Sequence, residues 1–172
     1  MADGSSSRPD DFRLTPLTAA DIPAVRRLHA HSFAVLAGSH HDDAQVAAHA
    51  ELIAGPDYER DLLGANLHLA WDASGRLVGT AGWQPFAERK RTARIRKVFV
   101  DPGVARRGLG KRLVADAEAR ARDAGYADFF VRANINAVPL YRALGYRELE
   151  AGKMVVGRGI ALPVVFMEKL AG

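Results

Sequence analysis

The sequence predicts an α+β fold in a single domain, on three observations. Its first half reads as a strand, two helices and then an antiparallel hairpin. Its second half reads as strand, helix, strand, helix and a closing strand pair. No internal repeat and no composition break divides the chain.

In chain order, Met1 to Asp11 is rich in Ser and Asp and reads as a disordered tail, so the domain is expected over residues 12–170. Phe12-Arg13-Leu14 alternates like a first strand. Thr18 or Asp21 caps a helix that carries Ile22, Val25, Leu28 and Phe33. A second helix runs from Asp43 through Ile53, where Gly55-Pro56 breaks it, and the next ten residues carry no clear pattern. Leu67 to Trp71 and Leu77 to Trp83 are strands joined by the turn Asp72-Ala73-Ser74-Gly75. Arg94 to Val100 is the next strand, stopped by Asp101-Pro102-Gly103. From Gly108 the pattern is helical: Leu109, Leu113, Ala117, Ala121 and Ala124 form one stripe, and Gly125 stops it. Phe129, Phe130 and Val131 mark a buried strand over Asp128 to Ala133, and Pro139 suits the first turn of a short helix closed by Gly145. Met154 to Val156 and Leu162 to Met167 form a final strand pair around Gly157-Arg158-Gly159.

At 172 residues and 48% hydrophobic, the chain can bury a full core. Zero cysteines exclude a disulfide scaffold, thiolate catalysis and zinc-thiolate sites. No apolar run is long enough to span a bilayer and the N-terminus lacks a hydrophobic signal region, so a cytoplasmic protein is the expectation. The formal charge of +4 raises the question of nucleic acid. Much of the basic character is paired along helices, as in Asp116 with Arg120 and Glu118 with Arg122. The densest basic stretch, Arg89-Lys90-Arg91 with Arg94, Arg96 and Lys97, lacks interleaved stacking aromatics. It reads as a solvated turn and the strand that follows, with no nucleic-acid partner.

The junction from Val98 to Lys111 carries the chemistry. A strand, a glycine-bearing turn and a helix start leave the helix's first amides unbonded at the positive end of its dipole, where they attract anionic oxygens. Gly108 and Gly110 have no side chains to hold a phosphate away, and Arg106, Arg107 and Lys111 add positive charge. The better-known phosphate loops do not fit. Leu109-Gly110 stands where a P-loop NTPase has Lys and then Ser or Thr, and Leu113 stands where a dinucleotide fingerprint has its third glycine.

The segment resembles the acyl-CoA-binding motif of the GCN5-related N-acetyltransferase (GNAT) superfamily: Gln or Arg, two residues, Gly, one residue, then Gly or Ala. Gly108 and Gly110 match the glycines, Arg106 and Arg107 fill the basic interior, and Ala105 departs from the leading Gln or Arg. A second match is Asn134, Ala137, Tyr141 and Gly145-Tyr146, similar to the family's downstream motif. The resemblance implies a mixed, mostly antiparallel central sheet flanked by helices, with acetyl-CoA as acyl donor. It implies that the cradle of Arg106, Arg107, Gly108, Leu109, Gly110 and Lys111 takes the pyrophosphate. Val98, Phe99 and Val100 would lie along the pantetheine arm, Asn134 would contact the cofactor, and Tyr141 would protonate the leaving thiolate. The acceptor would be an amine-bearing small molecule or peptide; a catalytically silent CoA-binding module is the alternative. Dimers are frequent in the family, and the apolar terminal strand offers an edge for a homodimer.

The acceptor side is less specified. Direct transfer needs a proton acceptor for the attacking amine. Glu88, His40, His41 or water can fill that role, since the strand Arg94-Ile95-Arg96-Lys97 offers no carboxylate. His40-His41-Asp42-Asp43 has metal-ligand residue types, but adjacent residues rarely point to one centre and no metal is implied; a substrate-facing role and a solvated loop that caps the following helix are the other readings. His29, His31, His49 and His68 read as packing or surface histidines.

Overall fold

The computed structural model describes residues 11–172, so all of the expected tail except Asp11 lies outside the described residues. Seven strands form one sheet in the order β1-β2-β3-β4-β5-β7-β6. They are β1 (Arg13–Pro16), β2 (His68–Trp71), β3 (Leu77–Pro85), β4 (Thr92–Val100), β5 (Asp128–Asn134), β6 (Arg147–Gly157) and β7 (Ile160–Lys169). The helices are α1 (Ile22–Ser32), α2 (Asp43–Ala54), α3 (Pro56–Leu63), α4 (Leu109–Asp123) and α5 (Val138–Ala143). Every strand pairing is antiparallel except β4 with β5. That exception follows from the α4 crossover, since a parallel pair needs a long connection.

α4 covers one face. Leu109, Leu113, Ala117 and Ala121 are each no more than 1% exposed and pack on Val78, Ile95, Phe129 and Val131. Ala124 does not continue this stripe: it lies past the helix end and is exposed. α1 to α3 cover the other face over β2 and β3, through Ile22, Val25, Leu28, Ile53, Tyr58 and Leu62 against Leu67, Leu69 and Leu77. The helix α3 had no sequence pattern behind it. It has eight residues, with Pro56 at its first turn and only Tyr58 and Leu62 buried, too short for a periodic signal to stand out. Its Pro56 therefore both ends α2 and begins the next helix.

Helices on both faces bury β3 almost completely and make its glycines steric requirements. A Cβ on Gly82 would stand 2.1 Å from the Ala65 carbonyl oxygen, which accepts the Trp83 N–H at 2.8 Å. Gly82→Ala is therefore expected to destabilise the fold by about 1–3 kcal/mol, read as a lower urea midpoint at unchanged slope. An unchanged midpoint would show that this loop gives way freely.

Two local irregularities shape the sheet along β4. Lys97 has φ 56° and forms a bulge: Thr80 pairs with Phe99 while Gly82 pairs with Arg96, leaving one extra residue on β4. The parallel pairing of β4 with β5 runs from Thr92↔Asp128 to Ile95↔Val131 and goes no further, so the strands diverge from Arg96 onward. The closing strand β7 lies between β5 and β6 with both edges used, so it cannot pair with a second copy; the free edge on that side is β6.

Candidate active site

The turn read as the cradle follows the end of β4. Gly108 sits at the helix N-cap with φ 82°, preceded by Arg106 at φ 64°, and the chain turns sharply into α4 at Leu109. No side chain caps the helix, and the Arg112 N–H bonds the Gly108 carbonyl at 3.1 Å. The amides ahead of it are left for an outside acceptor. Arg106, Arg107 and Lys111 are exposed around this turn. Gly110 faces Val100 and Leu140, where an added Cβ would lie 3.7 Å and 3.4 Å away, so the helix start packs close to β4 and α5.

The divergence of β4 and β5 opens a cleft of about 370 Å³. Val98, Phe99, Asn134, Ala137 and Tyr141 all line it. Val100 does not, and its carbonyl accepts the Ser32 hydroxyl at 2.7 Å. Tyr141 is 4% exposed, and among the described residues its hydroxyl has no hydrogen-bond partner. Burial raises its pKa above the ordinary phenol value, so it stays protonated through neutral pH. Its ring is held edge-on by Tyr146 at 5.3 Å, whose hydroxyl donates to Glu118 at 2.8 Å; Lys169 also binds Glu118, at 2.9 Å. A buried carboxylate on α4 thus fixes the ring that orients Tyr141.

The three side chains expected as bases do not reach this cleft. Glu88 is exposed in the β3–β4 turn, at the far end of β4 from the divergence. His40 is exposed, and His41 packs edge-on against Phe33 at 5.0 Å. The reciprocal bonds of Asp42 and Gln45, 2.8 and 3.0 Å, make this loop a helix cap. Among the described residues, no group of three or more His, Cys, Asp or Glu is placed to hold a metal ion.

The rest of the cleft is lined by His49, Tyr58, Asp61, Arg94, Arg96, Lys97, Arg132 and Lys153, among others. Asp61 takes two bonds from Arg96, at 2.7 and 2.9 Å, and lies 2.6 Å from the Lys97 ammonium. Burial works to raise the Asp61 pKa, but the bonds from Arg96 and Lys97 hold it below the usual range. Burial outweighs the Asp61 bond at Lys97 and brings that lysine down to about 8. Lys97 also lies over the Tyr58 ring, 4.0 Å from its centre. The bulge at Lys97 explains how it joins Arg94 and Arg96 in one cleft when strict alternation would send it to the opposite face.

His29 is fully buried as a packing residue, stacked on Phe99 at 4.0 Å. The Thr80 hydroxyl gives its single proton to the Lys97 carbonyl at 2.6 Å, so His29 Nε2–H donates to Thr80 and Nδ1 accepts from Tyr58, each at 2.7 Å. His68 lies 2.9 Å from Asp116. His49 is a packing residue, stacked on Phe33 at 3.7 Å, that also lines the cleft.

Burial, then Lys97, then His41, lowers the His49 pKa to about 4, and burial lowers His29 well below its usual value. Both are neutral when folded, whereas the unfolded chain takes up these protons near pH 6.5. Their contribution to stability is complete above that pH and is lost as pH falls toward 4. For His49 the loss is up to about 3 kcal/mol. Urea midpoints should drop between pH 7 and 4.5, and His49→Leu should flatten that drop; an unaltered slope in the variant would refute the assignment.

A mixed sheet splayed at its parallel pair, with an uncapped helix start at one end of the opening and a buried tyrosine inside it, defines the architecture of a CoA-dependent acyltransferase. A profile of the acetyltransferase (GNAT) domain matches residues 38–170, and the chain belongs to that family. No curated protein matches the sequence. Among solved structures, a GCN5-related N-acetyltransferase from Rhodopseudomonas palustris superposes with a TM-score of 0.83 at 22% identity, over 95% of this chain and 96% of that one. PaiA N-acetyltransferase from Thermoplasma acidophilum, solved with coenzyme A, gives 0.70 at 13% identity over 92% and 98%. YncA from Salmonella typhimurium, solved with its cofactor acetyl-CoA, gives 0.62 at 20% identity over 94% of each chain. At these identities the likeness establishes the fold.

Proposed function

We propose that the protein is an N-acetyltransferase that carries an acetyl group from acetyl-CoA to a primary amine by direct attack in a ternary complex. The observation that carries this reading is the unpartnered, protonated Tyr141 hydroxyl in the cleft that opens where β4 and β5 part. In the CoA complexes of the PaiA and YncA structures the family's cofactor is present, and the uncapped start of α4 supports the same ligand here.

The amides from Gly108 to Lys111 hold the pyrophosphate, with Arg106, Arg107 and Lys111 screening its charge. The arm lies along Val98 and Phe99, whose β5-facing edge has no strand partner, and Asn134 faces it from β5. The amine attacks the thioester carbon; the C–N bond forms and the C–S bond breaks. Sulfur leaves with the Tyr141 proton, and the proton shed by the amine passes to solvent, from which the phenol is restored. His49 lines the route but is too weak a base, at about 4, to keep that proton.

Calorimetric titration with acetyl-CoA, CoA and ATP tests the cofactor, and release of free thiol with amine acceptors tests the transfer. Acetyl-CoA and CoA should bind and ATP should not. Absence of acetyl-CoA binding at sub-millimolar concentration overturns the reading.

A further inference from the structure

The acceptor side of the cleft has an excess of positive charge that the protein itself does not neutralise. Five cationic side chains line it, Arg94, Arg96, Lys97, Arg132 and Lys153, against the single carboxylate of Asp61. That carboxylate is committed to Arg96 and Lys97. Arg94 and Arg132 are half-buried, and neither makes an ion pair or a side-chain hydrogen bond with another described residue. The Arg94 Nε is shielded from solvent with no acceptor among the described residues.

The register puts these two residues on one face of the sheet, and both line the cleft. Arg94 pairs with Phe130, so Arg132 lies on the same face of β5, two residues toward the divergence. Burial, then Arg132, then Arg96, brings Arg94 down to about 10 against smaller pulls from Asp61 and Glu88, and burial and Arg96 lower Arg132 against Asp61. Side chains that crowd like charges and leave a buried N–H unbonded are costly to the empty fold. An oxyanion removes that cost, and guanidinium forks lining one cleft suit such a group.

This anion is not the CoA pyrophosphate. Arg94 stands six residues before the end of β4, on the order of 20 Å from the cradle that follows the strand. The thioester lies between, near Tyr141. The geometry points to an acceptor that is a small primary amine bearing its own oxyanion, a carboxylate or its phosphonate equivalent, held by Arg94 and Arg132 while the amino group faces the thioester. Exposed Lys153 on β6 adds charge at the mouth. Polyamines and other polycations are repelled, and a peptide carries such an anion beside its amino terminus only where Asp or Glu stands there. This inference rests on the acetyl-CoA reading for the place of the thioester.

The test is thermal-shift titration of the full chain at saturating CoA. The probes are the common amino acids, their amides, the matching decarboxylated amines and the aminophosphonates. Amines with a carboxylate or phosphonate should raise the melting temperature, while their amides and plain amines leave it unchanged; which oxyanion acts identifies the ligand's source. Arg94→Gln and Arg132→Gln should each weaken that acceptor at least tenfold and leave CoA affinity as it is, and two separate variants keep the test intact should one fold poorly. Equal shifts from amides and plain amines, or no shift from any oxyanion-bearing amine in a protein that binds CoA, overturns the proposal. Loss of CoA binding in the native protein is a different result: it removes the cofactor reading, and the proposal with it.

Discussion

Tyr141→Phe is expected to lower kcat by about 10²- to 10³-fold while acetyl-CoA affinity stays within a factor of two. The substitution removes one oxygen and keeps the ring, so packing against Tyr146 and the walls of the cleft is preserved. Among the described residues the hydroxyl has no partner to orphan, so stability should change little. What is lost is the proton for the departing sulfur. A buried phenol with a raised pKa is a weak acid, but the same burial raises the proton affinity of a thiolate formed beside it, which keeps the two matched. Single-turnover thiol release in native and variant protein reads the effect. Equal rates would remove Tyr141 from the chemistry. A variant that also loses acetyl-CoA would make it a binding residue. A native protein that binds CoA but transfers nothing would be the silent module.

Gly108→Val is expected to weaken acetyl-CoA by about 10²-fold or more, from two causes of the same sign. At φ 82° a branched residue is strained by about 1–3 kcal/mol, so the turn relaxes away from its cradle geometry. Hydrogen bonds to charged groups contribute about 1.5–3 kcal/mol each, so losing one or two amides from the pyrophosphate accounts for the factor. Circular dichroism separates a local loss from unfolding, and Gly108→Ala, with the strain but little bulk, should fall between native and Val. A folded Val variant with native affinity would show that the phosphates sit elsewhere.

How far the site was readable from residues alone differs between its two halves. The half proposed to hold the cofactor is local in sequence. Gly108 needs a left-handed backbone, the α4 stripe repeats every three or four residues, and Pro139 and Gly145 bracket the turn and a half that carries Tyr141, so short-range stereochemistry places each of them. The acceptor half has no such signal. Arg94 and Arg96 alternate with buried Ala93 and Ile95, the ordinary pattern of a strand with one wet face, and so read as solvated. Arg132 is 38 positions away on another strand, and Asp61 belongs to a helix too short to announce itself.

The α+β class, the elements other than α3, the glycine turn into α4 and the short helix that carries Tyr141 were legible in the chain, because each depends on backbone preferences and on periodicity within about a dozen residues. Long-range packing settled everything else. The parallel register of β4 and β5 stops at Ile95↔Val131, the bulge at Lys97 turns that side chain inward, and α1 to α3 leave part of the sheet uncovered. Those three facts gather cations from distant segments into one cleft and retire Glu88, His40 and His41 from it, since charge proximity across a sheet is set by register and packing, which no single segment encodes.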